Sequence, residues 1–388
     1  MKKILCFFLI FLVFSGCKKS TNNNAPADYS CDCSKYGMNL INFMIDHPIG
    51  LFPFRNESNK WGYIDAKNNV IIKPSFKVSY PFSHARAMVY EESSYNIYAG
   101  FINPSGEYAI PANYNDFYLY FSKEGVIPFD VTNFSWGFMD QDGKLVISGQ
   151  YSDASQFHEG LAVVGKNNHY GAIDITGIML VPNHYLVLGT FSERKACAGV
   201  LDSLLGYIGS HNQSIIPPLF AVGGIFVNGL AVVADPALMK YGYIDSIGNY
   251  RIDPKFQDAN PFWENLAAIR NNNKWGFIDN SGQVVINPVF DDVLTGFCED
   301  LAGVKINGKW GYVDKAGNIV IPTSFKDADV FYCGLAYVIF QDDCFGYIDK
   351  SGNTIWKSLS PFLDRNKHNK IIDVFHNNFS EKVFIVKK

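Results

Sequence analysis

A glycine recurs in this chain at positions 62, 100, 137, 171, 206, 242, 276, 311 and 346, in steps of 34 to 38 residues. Nine copies at nearly constant spacing constrain the fold more than any other feature. A unit this short cannot bury a core alone, so neighbouring units must cover one another. Around each glycine stands a version of one phrase. It is clearest in "NKWGFIDNSGQVVINPVFDD" at 273–292 and "GKWGYVDKAGNIVIPTSFKD" at 308–327.

Each copy carries three strand signals, here "LAAI" at 266–269, "WGFID" at 275–279 and "VVI" at 284–286. All are short, rich in aliphatic and aromatic residues and bounded by Gly, Pro or Asn. Asp279-Asn280-Ser281-Gly282 predicts a hairpin turn, because an aspartate can accept nearby backbone N–H groups and glycine supplies a positive φ. "NNNK" and "NGK" predict the other hairpin. The longer excursion "NPVFDDVLTGFCED" is expected to end its strand at Pro288, which cannot donate to a ladder. Phe290 and Phe297 then pin it to the core. Strands that are apolar on both faces need cover on both. The expectation is an all-β chain of about nine three-stranded antiparallel units stacked as an open superhelical array. A closed propeller-like ring is the alternative; propellers usually have about four to eight four-stranded blades, so nine three-stranded units favour the open array. "GLFPF" at 50–54 and "FSEKVFIV" at 379–386 both read as the strand preceding "WG", so the array begins and ends on one element.

The phrase K-W-G-Y-I-D-x-x-G-x-x-V-I-x-P-x-F resembles the WG-repeat family of bacterial β-repeat proteins, over about residues 50–386. That resemblance implies a β-repeat fold. It carries no catalytic residue over to this chain.

The front of the chain reads "MKKILCFFLIFLVFSGCKKS". Lys2 and Lys3 precede an apolar run from Ile4 to Phe14, too short to span a bilayer at roughly 20 residues but suited to a signal peptide. "SGC" before Lys18 resembles the lipobox of bacterial lipoproteins, with Phe14 departing from the usual Leu. The resemblance implies diacylation of Cys17 and attachment to the membrane through lipid rather than a span. The expected organisation is a signal peptide at 1–16, an anchor and polar tether at 17–48, and the repeat domain at 49–388. The basic Lys18 and Lys19, with no Asp after Cys17, resemble outer-membrane lipoproteins that face the periplasm. Removing residues 1–16 takes away two lysines and no acids, so the balance becomes 31 − 37 = −6. A mildly acidic chain without a basic cluster is a poor nucleic-acid binder.

Most candidate chemistry has a structural reading. The Trp slot also holds Ala99 and Leu205, as a core position tolerates. The aspartate slot recurs before almost every turn glycine, and its substitutes Asn103 and Gly209 are turn residues too, so it reads as turn structure rather than paired carboxylates for glycoside hydrolysis. The eight cysteines read as incidental thiols rather than a bridge framework, although Cys298 and Cys333 stand one position out of register in consecutive units, and Cys197 fills a small core slot. No zinc spacing, phosphate loop, dinucleotide fingerprint or G-x-S-x-G is present, so neither a metal nor a cofactor is expected. The second unit departs most. It has Ala99 for Trp and an excursion, "PANYNDFYLYFSKEG", that gathers Tyr114, Asp116, Phe117, Tyr118 and Tyr120. Aromatics beside a carboxylate suit a protein or carbohydrate contact. Trp263 in "WEN" is a second such residue. The functional expectation is a non-catalytic envelope lipoprotein that binds an envelope protein or cell-wall glycan. The alternatives are a glycan-active enzyme and a structural spacer.

Overall fold

The computed structural model describes residues 50–92, 97–114, 121–130, 135–200 and 204–358. The expectations for Cys17 and the tether, for Asp116, Phe117, Tyr118 and Tyr120, and for 379–386 fall outside the described residues.

The described residues form nine antiparallel sheets in chain order, seven of them with four strands. One sheet serves for all. Its strands are Asp258–Trp263, Leu266–Asn271, Lys274–Asp279 and Val284–Phe290, adjacent in that order. The expected three-stranded unit is therefore corrected to four. The excursion supplies the extra strand, because after Phe290 a single residue passes before Asp292–Cys298 pairs with Leu301–Ile306 of the next sheet.

Nor does Pro288 end its strand. Trp275 pairs with Phe290 and Phe277 with Ile286. Between these pairs one strand has only Gly276 and the other has Asn287, Pro288 and Val289. The longer strand bulges and presses its backbone onto the glycine. A Cβ built on Gly276 would stand 2.4 Å from the Ile286 carbonyl oxygen and 2.6 Å from the Pro288 nitrogen. Gly62, Gly137, Gly242 and Gly311 meet the same backbone within 2.4–2.6 Å. The "WG" glycine and the "I-x-P-x-F" run are two halves of one close approach, and the bulged proline also suits an edge strand.

Burial orders the strands. The second strand of a sheet is well enclosed, as in Leu266–Asn271, while the last alternates, as in Tyr250–Phe256. First strands of successive sheets also touch one another, so they lie toward an axis and the fourth strands form the perimeter.

Consecutive sheets are joined by one repeated aromatic pair. A ring on the third strand meets a phenylalanine on the next sheet's first strand at 4.8–4.9 Å, as in Tyr243–Phe262, Phe277–Phe297 and Tyr312–Phe331. The last sheet makes the same kind of contact with the first. Phe52 lies 5.4 Å from Tyr347, Trp61 stacks on Phe345 at 5.9 Å, and the Tyr347 hydroxyl donates to the Pro53 carbonyl at 2.9 Å. The array is therefore a closed nine-bladed propeller ring, not an open superhelix. Closure covers the outer faces of both terminal sheets, which an open stack leaves in water.

Candidate functional site

A ring offers chemistry at its two rims, where the turns and their carboxylates gather. The turn aspartates prove structural. Asp65, Asp140, Asp174, Asp245, Asp279, Asp314 and Asp349 each accept from the backbone N–H groups two and four residues on, at 2.8–3.1 Å. Asn103 does the same. Where Gly209 replaces the acid, the Gln213 side chain moves in and accepts from the His211 N–H at 3.0 Å. Each turn glycine rests on an isoleucine of the preceding blade, as Gly282 does on Ile252.

Sequence reasoning missed a second set of carboxylates. The hairpin between first and second strands carries a glutamate in five blades, and each reaches the equivalent hairpin of the next blade. Glu124 accepts from the Gly160 N–H at 2.9 Å, and Glu159 from Glu193 and Arg194 at 2.9 and 2.7 Å. Glu193 accepts from Gly229, Glu264 from Asp300 and Glu299 from Gly334, each at 3.0 Å. Lysines of the neighbouring aspartate turns balance two of them. Lys315 lies 2.9 Å from Glu264 and Lys350 3.3 Å from Glu299. Burial, opposed by its two backbone bonds, raises the Glu159 carboxyl above its usual range. These acids staple blade to blade along one rim. The signal was legible in the recurring "EG", "ER", "EN" and "ED", which the hydrophobic consensus obscured.

At the opposite rim the first strands of two blades begin with Asp258 and Asp292, whose cross-strand partners are Arg270 and Lys305. Burial pushes both acids upward. The axis side is held by buried tyrosines. Tyr63, Tyr207, Tyr243 and Tyr312 donate to carbonyls of the next blade's first strand at 2.6–2.7 Å.

The predicted aromatic contacts divide. Tyr114 is half-buried on the perimeter strand, paired with Ala99 and packed edge-on to Phe129 at 6.0 Å. It occupies the slot that Phe290 fills elsewhere. Trp263 is 1% exposed. Its indole lies over Gly296, where a Cβ would meet it at 2.4 Å, so it fills the core between two blades and is not a surface residue. Trp61 and Trp310 are buried, and Trp136 and Trp275 half-buried, in keeping with a core slot. Among the described residues no cluster of three His, Cys, Asp or Glu could hold a metal ion. Cys197, Cys298 and Cys344 are buried thiols, and enclosure pushes the Cys197 thiol up to about 12. Cys333, expected as an incidental thiol, is disulfide-bonded.

Six segments of the chain, at 61–95, 100–132, 136–170, 241–275, 275–310 and 310–342, match the family described as "WG containing repeat", and together they cover more than half of its residues. The gap from 171 to 240 holds the unit with Leu205 and Gly209, yet its sheet has the same four strands. No curated protein matches the chain in sequence. Among solved structures it is similar to one titled as the eukaryotic initiation factor, at 12% identity and a TM-score of 0.55, over 79% of this chain and 95% of that one. It is also similar to the computationally designed Ika8 protein, at 12% identity and a TM-score of 0.44 over 70% and 93% of the two chains. BamB from Moraxella catarrhalis matches at 10% identity and a TM-score of 0.42, over 71% and 94%. Identities this low speak to fold alone.

Proposed function

We propose a function for this chain from the premise that it belongs to the WG-repeat family. It is a non-catalytic, lipid-anchored protein of the cell envelope, outer-membrane and periplasm-facing, whose ring presents a surface to an envelope protein or cell-wall glycan. The observation that carries this reading is where the reactive side chains are spent. The turn aspartates hold hairpins and the rim glutamates hold blades together. The tyrosines of the third strands are committed to carbonyls. A hydrolase needs a pair of acids free to work, and a binding ring needs only exposed turns on a rigid frame. Support for the envelope comes from the sequence, in the signal-like residues 1–16 and in "SGC" ending at Cys17.

Contact with the partner is assigned to Asp116, Phe117, Tyr118 and Tyr120, the aromatic-rich residues that follow Tyr114 in the sequence. Tyrosine offers a rigid apolar face and a polar tip, which suits a wet interface. Two measurements test the reading. Cys17→Ala should abolish incorporation of labelled fatty acid; equal labelling in parent and variant removes the anchor. Tyr118→Ser with Tyr120→Ser should lower retention on cell-wall sacculi or recovery of an envelope partner, at an unchanged melting midpoint. Unchanged binding by that folded double variant removes the assigned contact.

A further inference from the structure

One row of side chains in the ring is charged where the same row elsewhere is apolar. In the seventh sheet Asp258, Arg270, Trp275 and Phe290 are paired side by side across the four strands, so all four point to one face of the sheet. One blade earlier the row is Val222, Ala234, Tyr241 and Phe256, and the fifth sheet begins its row with Val187 and Gly199. Those sheets build the same four strands. The fold therefore does not require the acid and the cation, and half-burying them costs solvation.

The row faces the eighth sheet, because Trp275 and Phe290 pack in one apolar cluster with Val293, Phe297 and Ile306. Asp292, next to Val293, is exposed, while Asp258, Arg270 and Trp275 are half-buried. Burial raises both carboxyl pKa values, and the charge of Arg270 opposes that rise at both. Arg270 thus stands near two acids on consecutive blades. Its side chain nevertheless makes no hydrogen bond or ion pair among the described residues, and its Nε is buried without a partner. Each carboxylate accepts through one oxygen from the N–H of the next residue, Ala259 at 2.9 Å and Val293 at 3.0 Å. The second oxygen of each is engaged by no described residue.

We propose that Asp258, Arg270, Trp275 and Asp292 form a binding site for a neutral carbohydrate, whose hydroxyls join the guanidinium to the two carboxylates. A hydroxyl accepts from an Arg270 N–H and donates to an aspartate, so a sugar diol satisfies groups that do not satisfy each other. The half-buried Trp275 offers apolar area to the C–H face of the sugar ring. Charge balance selects the class. Two acids stand beside two cations, Arg270 and Lys305, whose charge also acts on Asp292. The acids oppose an anion and the cations oppose a cation, so neither gains net attraction. The site is separate from the contact assigned above to Tyr118 and Tyr120 and does not depend on it.

The full chain, in a detergent without a sugar headgroup, is titrated calorimetrically with N-acetylchitotetraose, cellotetraose and maltotetraose. At least one of these neutral oligosaccharides should bind saturably. Tetragalacturonate, an anion, and deacetylated chitotetraose, a cation, should bind at least about tenfold more weakly. Arg270→Ala, Asp258→Val and Trp275→Leu copy Ala234, Val222 and Leu205 of other blades, so each should remain folded in a urea melt. Each should weaken binding of the neutral sugar by at least about tenfold. No saturable binding of any of the three neutral probes overturns the proposal, as does equal binding of a charged one or parent affinity in a folded Arg270→Ala. Tyr118→Ser with Tyr120→Ser should bind the oligosaccharide as the parent does. A loss there, with none in Arg270→Ala, moves the sugar to the other contact and removes this site alone.

Discussion

Replacing Gly276 by alanine tests the central packing rule of this fold. The added methyl would lie 2.4 Å from the Ile286 oxygen, 2.6 Å from the Pro288 nitrogen and 2.7 Å from the Asn287 carbonyl carbon. All three are backbone atoms, so no rotamer change relieves the contact. Restoring even a tight contact needs a retreat of roughly 0.8 Å by the bulged strand. That retreat pulls on the pairs Trp275–Phe290 and Phe277–Ile286, which flank the glycine. Overpacking costs about 1–3 kcal/mol, and weakening the flanking ladder adds about 1 kcal/mol. The lower entropy of the unfolded alanine chain returns about 0.4–1 kcal/mol. The net expectation is a loss of about 2 kcal/mol. Gly160→Ala is the control. Gly160 has φ +78 and nothing within 4 Å of a built Cβ, so only left-handed strain of about 1–2 kcal/mol opposes the same return. Urea melts followed by tryptophan fluorescence and by circular dichroism compare the two. If Gly276→Ala unfolds within about 0.5 kcal/mol of the parent, or costs less than Gly160→Ala, the close approach is not what the repeated glycine serves.

Acid should loosen the turns. Hydrogen bonds from the side chains of Thr176, Ser281 and Asn318 hold Asp174, Asp279 and Asp314 below the ordinary aspartate value. A depressed folded value means that this stability is present above the unfolded pKa of about 3.9 and is lost as pH falls through the folded value. Melting midpoints should therefore drop below about pH 4, and Asp279→Asn, which mimics Asn103, should show a shallower acid limb; an identical limb refutes the assignment. Tyr243→Phe removes a buried hydroxyl bonded to the Asn260 carbonyl at 2.7 Å. Because Phe277 fills the same slot one blade later, the cost should be about 1 kcal/mol in a urea melt, and no change would show that the bond contributes nothing.

The sequence by itself determined the unit and its local geometry. A period of 34 to 38 residues, an aspartate before a glycine, and short aromatic strands depend only on neighbours in the chain. Hence the hairpins, the turn role of Asp279 and the burial of Phe290 and Phe297 were all legible. What the chain does across units was not. The additional strand, first in the next sheet, hides in the excursion, because "DDVLTGF" lacks clean alternation and its bulge breaks the period of two. Trp263 looked like a surface aromatic, and only the glycine facing it on the next blade, Gly296, makes room for it inside. Ring closure is the clearest case. The last blade has Trp356 where Ile321 stands one blade earlier, and the first has Asn68, as the fifth has Asn212, where the other seven have the turn glycine. As sequence these are two unrelated departures about 290 residues apart. In the folded chain Trp356 packs on Phe54 at 5.9 Å and on Phe345 at 5.4 Å, within the seam. A repeat fixes what each unit is, because its hydrogen bonds are local. Whether nine units form a stack or a ring depends on the small rotation between neighbours, summed around the whole array, and that angle is set by packing between faces that no single unit contains.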